Sequence, residues 1–545
     1  MIVLFAIAFR LVQLFSPPFQ EIDLYRYMWD GIVLSEGESP YHVSPKTAYG
    51  PLDPDEDVRV IQEIALRSDS TYQIVTRIHF EQYTTLYPPV SQLVFAGAMA
   101  IVPKEASVKF HMVVMKAVIV VFDLGIFLMV IHLLSQFRIS SIWAIVYGWN
   151  PTIIKEFSNS GHLDSIAVFF VVLTMVMMVH YFRNAKQYGT SDGRIWLVLA
   201  GIFLGLGVSS KIFPIIFFPM LFCVLFFKKR KIHSLVFAAA FCLSTVLSIF
   251  PMWVGAYYAN RGQEVALERP LGVIAPDAVR QAPIVSNDFS VRGSHYWLVN
   301  RVNPPAVPVH LAEPVTAKTE SNEGLSTFLQ HWQINELIFM FVYQNLRDLD
   351  AAQKTDRPWF RMTDTVTRDW VNGWLAPLVG KEQAANATAR LMTLVLFGVA
   401  YSWVILLLIR SESPDRAILA AAFWTVALFF CVQPTQNPWY WTWAIPFMAF
   451  VGNRVWLLYS SFLFLYYFRF WFQIREGSFS FLGQEYSGAG YFDYVIVWIE
   501  HGLILLAVVV WELRRAKQGT RSQPGIPVKS FLTGLPCAPS QELKT

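Results

Sequence analysis

An all-α polytopic membrane protein, a bundle of about 11–13 transmembrane helices, is the fold this sequence predicts. Three observations predict it. The 545 residues are 54% hydrophobic and only 15% charged, where water-soluble domains carry nearer ~25% charge, and the mean hydropathy is +0.41. Several runs, VKFHMVVMKAVIVVFDLGIFLMVIHLL among them, exceed the ~18 apolar residues that mark a membrane-spanning helix. Between the apolar runs Lys and Arg gather in clusters, as they do in cytoplasmic loops.

Those clusters set the expected topology. Arg183, Lys186 and Arg194 form the first, residues 228–231 the second, Arg410 and Arg416 the third, and Arg514, Arg515, Lys517 and Arg521 the fourth; all are placed inside. Residues 17–87 hold 12 Asp or Glu against 5 Lys or Arg and are placed outside, as a large extracytoplasmic first loop carrying interfacial helices. Only 33 residues lie between Arg194 and Lys228, short of the ~40 that two full passes need. That hairpin is therefore short, and its break, SSKIFP, should sink into the outer headgroup layer with Lys211 at the depth of a lipid phosphate. A second hairpin over residues 139–182 carries the outer tip WNPTIIKEFSNSGHLDS. Residues 88–135 are too few for three crossings and read as one crossing plus a re-entrant or tilted piece at 88–103. Asp123 lies mid-span, where pairing with Lys116 or a hydrogen bond inside the bundle is expected. The segments 234–256, 391–410, 415–432, 439–452, 454–471 and 491–512 are read as the remaining spans. The chain thus divides into an N-terminal module 1–256, a long outer loop 257–333, C-terminal helices 334–512 and a polar, disordered cytoplasmic tail 513–545.

Composition also excludes classes. A net charge of +4, supplied by residues between the spans, gives no argument for nucleic acid. Four cysteines, three of them in apolar stretches, indicate no disulfide framework. No internal repeat of the transporter kind is visible, and the unusual polar stretches point to one face rather than to the midplane.

The polar stretches carry the candidate site. In EIDLYRYMWDG, residues 21–31, the side chains Asp23, Arg26, Tyr27 and Asp30 recur at i, i+3, i+4 and i+7, one face of a helix. The bland reading is a surface ion-pair ladder on an interfacial helix. At a membrane boundary two acids have little reason to persist unless they act, and a carboxylate there can serve as general base for a hydroxyl, Asp23 first and Asp30 as substitute. The tip of the second hairpin gathers Asn150, Lys155, Glu156, Asn159, His162 and Asp164 around Gly161, which permits a tight turn. His162 and Asp164 alone are weak evidence for a metal site, so no metal is assigned and no cofactor is indicated, with a divalent cation left open. Lys211 either snorkels or binds a lipid phosphate. Trp332 and Asn335 in GLSTFLQHWQINELIF, and Trp439 and Tyr440 in PTQNPWYWTW, combine aromatic faces with amides. These suit sugar rings, although an aromatic belt accounts for part of the pattern.

Taken in order, EIDLYRYMWDG, GESPY, TLYPPVSQL, the FDLG-containing span, NPTIIKEFSNSGHLDS and SSKIFPIIFFPM resemble the GT-C superfamily of polyprenol-phosphate-sugar-dependent glycosyltransferases. The likeness covers about residues 20–225, and more loosely 324–345 and 433–446. It is greatest to bacterial mannosyltransferases that use polyprenol-phosphate-mannose; the catalytic subunit of the first GPI mannosyltransferase is more distant. The resemblance implies an inverting transfer of a hexose, mannose by preference, to a lipid- or glycan-linked acceptor on the extracytoplasmic face of the plasma membrane. It implies Asp23 as the catalytic carboxylate, Asp164 as the acid of the second polar loop, and Lys211 or Arg26 as the cation on the leaving phosphate. Tyr27, His162, Trp332, Asn335, Trp439 and Tyr440 complete the expected substrate contacts. Glu21 stands where the eukaryotic relatives have the first Asp of a D-x-D, a departure that argues against metal there. Their later histidine-rich motif is absent, which argues against a GPI acceptor. The alternatives are a lipid-linked glycan polymerase or ligase, which would want its main catalytic loop late in the chain, and a flippase or transporter, which would want mid-membrane charge.

Overall fold

The computed structural model describes residues 1–50, 55–187, 193–228, 230–266, 333–348, 356–475 and 477–522. Most of the expected outer loop 257–333, including Trp332, and the tail beyond residue 522 lie outside the described residues. Among those described, seven helices are long and apolar enough to cross a membrane and four shorter apolar helices of 10–17 residues accompany them. The protein is an all-α multi-pass membrane protein. The expected figure of about 11–13 passes is reached only by counting the short and broken ones.

The chain shuttles between two ends of one bundle. At one end lie the basic clusters. Arg183 Nη1 donates to Gln136 Oε1 at 2.6 Å and its Nε lies 3.3 Å from Asp415. Lys228 Nζ donates to the Ser411 carbonyl, Arg230 to the Tyr181 hydroxyl, and Asn453 to Glu512. The polar stretches at residues 13–23, 88–91, 159–165, 209–213 and 433–443 meet at the other end. Helix Ile2–Leu14 runs toward that polar end, and helix Val108–Gln136 returns to the basic end. Helix Asp164–Gln187 again runs from polar to basic end, followed by the hairpin Arg194–Val208 and Phe217–Phe227 and the long helix Lys231–Ala266. Helices Lys381–Arg410 and Pro414–Val432 then descend and return.

Several passes are short because their sequences break them. The ascending arm at 141–159 is a chain of turns, Ser141–Ala144, Ile145–Gly148, Pro151–Ile153 and a π-helical stretch Ile154–Asn159. Asn150 caps the turn that Pro151 opens, its Oδ1 accepting from Thr152 N at 3.0 Å. The single regular span expected at 439–452 is instead two four-residue turns, Pro438–Trp441 and Ile445–Met448. Pro438 and Pro446 cannot supply backbone donors to a continuous helix. The segment still traverses the bundle, from Trp439, stacked on His162, to Phe450, whose ring lies 6.3 Å from Phe137.

The 88–103 piece is helix Pro89–Ala100, 12 residues and about 18 Å long, well under the ~30 Å of a hydrocarbon core. Its start is tied to the polar end, Val90 N donating to the Ser209 carbonyl at 2.9 Å. Helix Val108–Gln136 then begins above that end. Its Lys116 ammonium donates to the carbonyls of Gln13 and Ser16 at 2.7 and 2.8 Å, capping the C-terminus of the first helix, where carbonyls lack partners. One crossing therefore delivers Arg138 to the basic end.

Asp123 does not pair with Lys116, which lies seven residues, about 10.5 Å, along the same helix. It pairs with Arg10, Nε to Oδ2 at 2.5 Å, and accepts from the Tyr147 hydroxyl at 2.7 Å. Arg10 completes its bonding on the carbonyls of Ala6 and Gly148. Breaking a buried pair strands one charge, at a loss of about 3–5 kcal/mol. Arg10→Met is expected to destabilise by that order in a detergent unfolding assay, and Arg10→Met with Asp123→Leu by clearly less. Equal losses would show that the pair is not what the fold depends on.

Above the polar end a small second core of Leu337, Met340, Phe360, Tyr486, Phe492, Tyr494 and Val497 forms beneath the hairpin Phe479–Phe481 and Gln484–Tyr486. The strap that leads into it is pinned by a parallel bridge between Ile334 and Thr435, beside the site.

Candidate active site

Four connections at the polar end hold the candidate residues. The first, residues 15–22, is fixed by Asn159. Its Nδ2 donates to Ser16 Oγ at 2.7 Å and to the Pro17 carbonyl at 3.0 Å, and its Oδ1 accepts from Phe19 N at 2.7 Å. This strap delivers Glu21 and, at the first turn of helix Asp23–Ser35, Asp23. Gly161 makes the tight turn before His162 with φ +71°, and a Cβ there would come within 2.9 Å of Leu24. The turn is thus both left-handed and pressed against the Asp23 helix, which only glycine allows. That helix crosses helix Pro89–Ala100 at Gly31, where a Cβ would stand 2.5 Å from the Phe95 carbonyl oxygen.

Around His162 the charges form one buried group. Its Nε2 lies 3.2 Å from a Glu21 oxygen and 3.3 Å from a Glu156 oxygen, and its ring stacks on Trp439 at 4.5 Å. Lys155 lies 3.2 Å from Glu156 and donates to the Tyr467 hydroxyl at 2.6 Å, and that hydroxyl donates in turn to Glu156. Burial alone would push the His162 imidazole down, but Glu21, with Glu156 beside it, raises it to about 10. Burial would likewise push Glu21 up, and the imidazolium outweighs that, holding it at about 2. Glu21 also accepts from the backbone N–H groups of Ile22 and Asp23 at 2.8 and 3.0 Å. The result is a fixed imidazolium and a fixed carboxylate beside Asp23.

Asp23 behaves differently. Burial and the neighbouring Glu21 charge push its carboxyl up, His162 and Lys211 pull it partly back, and it comes to about 7. A carboxyl poised near neutrality is what general-base chemistry wants.

Lys211 is set by the hairpin break. Its N–H bonds the Gly207 carbonyl, and the loop is anchored where Ser91 Oγ donates to the Ser210 carbonyl at 2.8 Å. Its ammonium lies 2.7 and 2.8 Å from the two Asp164 oxygens and sits over the Tyr440 ring at 4.8 Å and the Trp443 ring at 5.5 Å. Trp443 Nε1 donates to Asp164 at 2.5 Å and its indole lies flat on Phe213, 3.6 Å between ring centres.

A cavity of about 700 Å³ is lined by Asp23, Arg26, Tyr27, His162, Lys211, Trp439 and Tyr440 together. One side of it is apolar, formed by Ile212, Phe213, Ile215, Ile216, Leu394 and Phe397. Ile212 is 49% and Leu394 63% exposed, so this side opens at the flank of the bundle.

Not every expected residue reaches the cavity. Asp30 is absent from its lining: Arg26 Nε donates to one oxygen at 2.9 Å and Gln92 Nε2 to the other at 3.0 Å. It fixes Arg26 and helix 89–100, outside the cavity that Asp23 lines. Asp164 is likewise absent from the lining, its oxygens accepting from Lys211 and Trp443. Asn335 is buried away from the cavity, donating to the Gln436 carbonyl at 3.2 Å and to Glu500 at 3.0 Å; it belongs to the strap. Trp332 lies outside the described residues. Sequence reasoning missed Trp443, although it stands in the quoted PTQNPWYWTW. It also missed Arg390, His79, Phe80, Tyr83 and Thr84, which line the cavity. Arg390 heads an apolar run, and a lone cation there has no sequence signal beyond snorkelling. Among the described residues, no group of three His, Cys, Asp or Glu side chains is placed to hold a metal ion.

The multi-pass helical bundle thus closes an acid, a cation and aromatic rings around one cavity at its polar end. Residues 2–227 match the family model for the alpha-(1->6)-mannopyranosyltransferase N-terminal domain. This part of the chain is similar to a GT-C type mannosyltransferase, and the match indicates a glycosyltransferase that moves mannose. It includes Asp23, Arg26, His162, Asp164 and Lys211, while Arg390, Trp439, Tyr440 and Trp443 come from beyond it. No curated protein and no solved structure matches the chain.

Proposed function

We propose that the protein is an inverting mannosyltransferase that takes its sugar from a polyprenyl-phosphate donor and passes it to a glycan acceptor. The observation that carries this is the single cavity shared by Asp23 and Lys211, polar where those two face it and apolar where it opens to the flank. A polyprenyl phosphate sugar has that same division: a phosphodiester and hexose at one end and a hydrocarbon chain at the other.

In the proposed reaction the Asp23 carboxylate accepts the proton of the acceptor hydroxyl, whose oxygen attacks C1 of the mannose. The bond from C1 to the phosphate oxygen breaks, and the electron pair leaves with polyprenyl phosphate. Lys211 is held over Tyr440 and Trp443, where it stabilises the charge gathering on that phosphate, the kind of contribution that dominates such transfers. His162 and Trp439 offer a cation and an aromatic face to the sugar between them. The basic clusters lie at the opposite end, and by the positive-inside rule this supports an extracytoplasmic position for the cavity, where no nucleotide sugar is at hand. The alpha-(1->6) linkage of the matched family makes O6 of a mannose the proposed acceptor hydroxyl.

The test is a transfer assay with the purified protein in detergent, offered radiolabelled polyprenyl-phosphate-mannose or GDP-mannose and a short mannoside. Label should pass from the polyprenyl donor alone. Transfer from GDP-mannose without a lipid carrier would overturn the donor assignment.

A further inference from the structure

We infer that the segment 362–378 is an interfacial anchor, seated in the lipid headgroup layer at the polar end of the bundle. Met362, Val366, Trp370, Trp374 and Leu378 recur every four residues, and each is between 68% and 79% exposed. Large apolar side chains so exposed in one row mark a contact surface. The other side of the segment is tied down. Helix Thr365–Asn372 is capped by Asp364, whose Oδ1 accepts from Thr367 N at 2.8 Å. Arg368 donates to the Thr363 carbonyl at 3.0 Å and Asn372 to the Leu346 carbonyl at 2.9 Å. Val371 packs against the small core of Phe339, Leu346, Ala385 and Ala389. Ahead of the helix, Asn345 Oδ1 accepts from Met362 N at 2.8 Å. The cation turns inward and the apolar row outward, the reverse of a helix that faces water.

Continuity and depth identify lipid as the occupant. Through Gly380, φ +84°, the segment runs directly into helix Lys381–Arg410, one of the seven described helices long and apolar enough to span. That helix has 30 residues and is about 45 Å long, more than the ~30 Å of a hydrocarbon core. With Arg410 at the basic end, ~30 Å measured back along it reaches about residue 390. There Leu391, Leu394, Val395 and Val399 begin its exposed apolar face. Ala385 and Ala389, the level at which Val371 packs, stand about 3–9 Å above that start. This is the depth of the headgroup layer, where tryptophan concentrates. Asp364 and Asp369 are exposed beside the row and Arg368 is buried behind it. The hold on lipid is therefore apolar insertion, not a basic patch on anionic headgroups. The same helix supplies Leu394 and Phe397 to the open flank of the cavity, so the anchor sets the level at which that flank meets the bilayer.

The test needs no substrate. The full chain is reconstituted in phosphatidylcholine vesicles that carry a photoactivatable phosphatidylcholine, its diazirine placed either near the glycerol or at the end of the acyl chain. Trypsin cuts after Arg361, Arg368, Lys381, Arg390 and Arg410, which yields peptides 362–368 and 369–381 from the anchor and 391–410 from the span. On irradiation the shallow probe should label 369–381, and the deep probe should label 391–410 in preference to it. Trp370→Ser combined with Trp374→Ser should remove most of the shallow label from 369–381. Label on 391–410 should stay unchanged, which reports that the variant is folded in the bilayer. Three results would each overturn the anchor: no lipid label on 369–381 while 391–410 is labelled, label that survives the double substitution, or label that appears only when phosphatidylglycerol is added. A disulfide-linked dimer that forms in Trp370→Cys and not in the parent chain would also overturn it, by putting a second copy in the place of lipid.

Discussion

Asp23→Asn is expected to reduce transfer by about 10²–10⁴-fold, the range for removing a positioned general base, while donor binding survives. The amide keeps the size of the side chain and cannot accept the acceptor proton. It should not harm the fold. Folding raises the Asp23 pKa from its ordinary value toward about 7, so the native state favours the uncharged form. Stability from that preference is complete below the ordinary carboxylate range and is lost as pH rises through about 7. A neutral amide removes this burden. The same value sets the pH profile. Only the carboxylate is a base, so kcat/KM for the intact protein should climb about tenfold per pH unit below about 7 and level off above it. Residual transfer by the Asn variant should show no such climb. A variant that keeps full activity, or a profile flat between pH 5 and 8, removes Asp23 from the role of base.

The sequence disclosed what depends on local chemistry and hid what depends on meeting across the fold. Hydropathy and basic clusters were enough to predict the bundle and its two ends, and the 33 residues between Arg194 and Lys228 were too few for anything but a short hairpin. Asp23, His162, Lys211, Trp439 and Tyr440 were legible because polar groups at a membrane boundary stand out against their surroundings, and the structure brings all five to one cavity. Asp30 misled because helical spacing puts it on the Asp23 face without revealing that Gln92, 62 residues later, takes its second oxygen. For Asp123 the expected hydrogen bonding inside the bundle is present, but not the pairing with Lys116, because its partner Arg10 lies 113 residues earlier. Asn335 looked like a sugar-binding amide from composition alone, and composition does not distinguish an amide in a cavity from one that ties a strap. Helix boundaries at 439–452 were wrong because an apolar run reads the same whether or not Pro438 and Pro446 let it form a helix.

The imidazolium of His162 shows how the site keeps its acids apart in function. Glu21 and Asp23 are two residues from one another, yet one is held far below and the other far above the ordinary carboxylate value. The difference lies in partners: Glu21 faces the imidazolium and two backbone N–H groups, and Asp23 faces the cavity with a neighbouring negative charge. Such splitting of two carboxyls by environment assigns them different work. Glu21 positions, and Asp23 is left to exchange a proton.

Lys211→Met should lower kcat/KM for the polyprenyl-phosphate donor by about 10²–10³-fold, the scale of losing one preorganised contact to a developing anion. Its reading is complicated by Asp164, which would keep only the Trp443 indole as partner, at 2.5 Å. A buried carboxylate deprived of its cation destabilises by about 3–5 kcal/mol, an upper figure here because the Lys211 side chain is 21% exposed. The single variant is therefore expected to unfold earlier as well as to react more slowly. Combining it with Asp164→Asn separates the two effects. The neutral amide still accepts from Trp443 and no longer needs a cation, so the double variant should recover most of the unfolding midpoint. Its donor kinetics should stay as poor as those of the single variant, with the loss falling on the donor and not on the acceptor. Recovery of activity along with stability would mean that Lys211 serves only to hold Asp164, and that the leaving phosphate is met by another group.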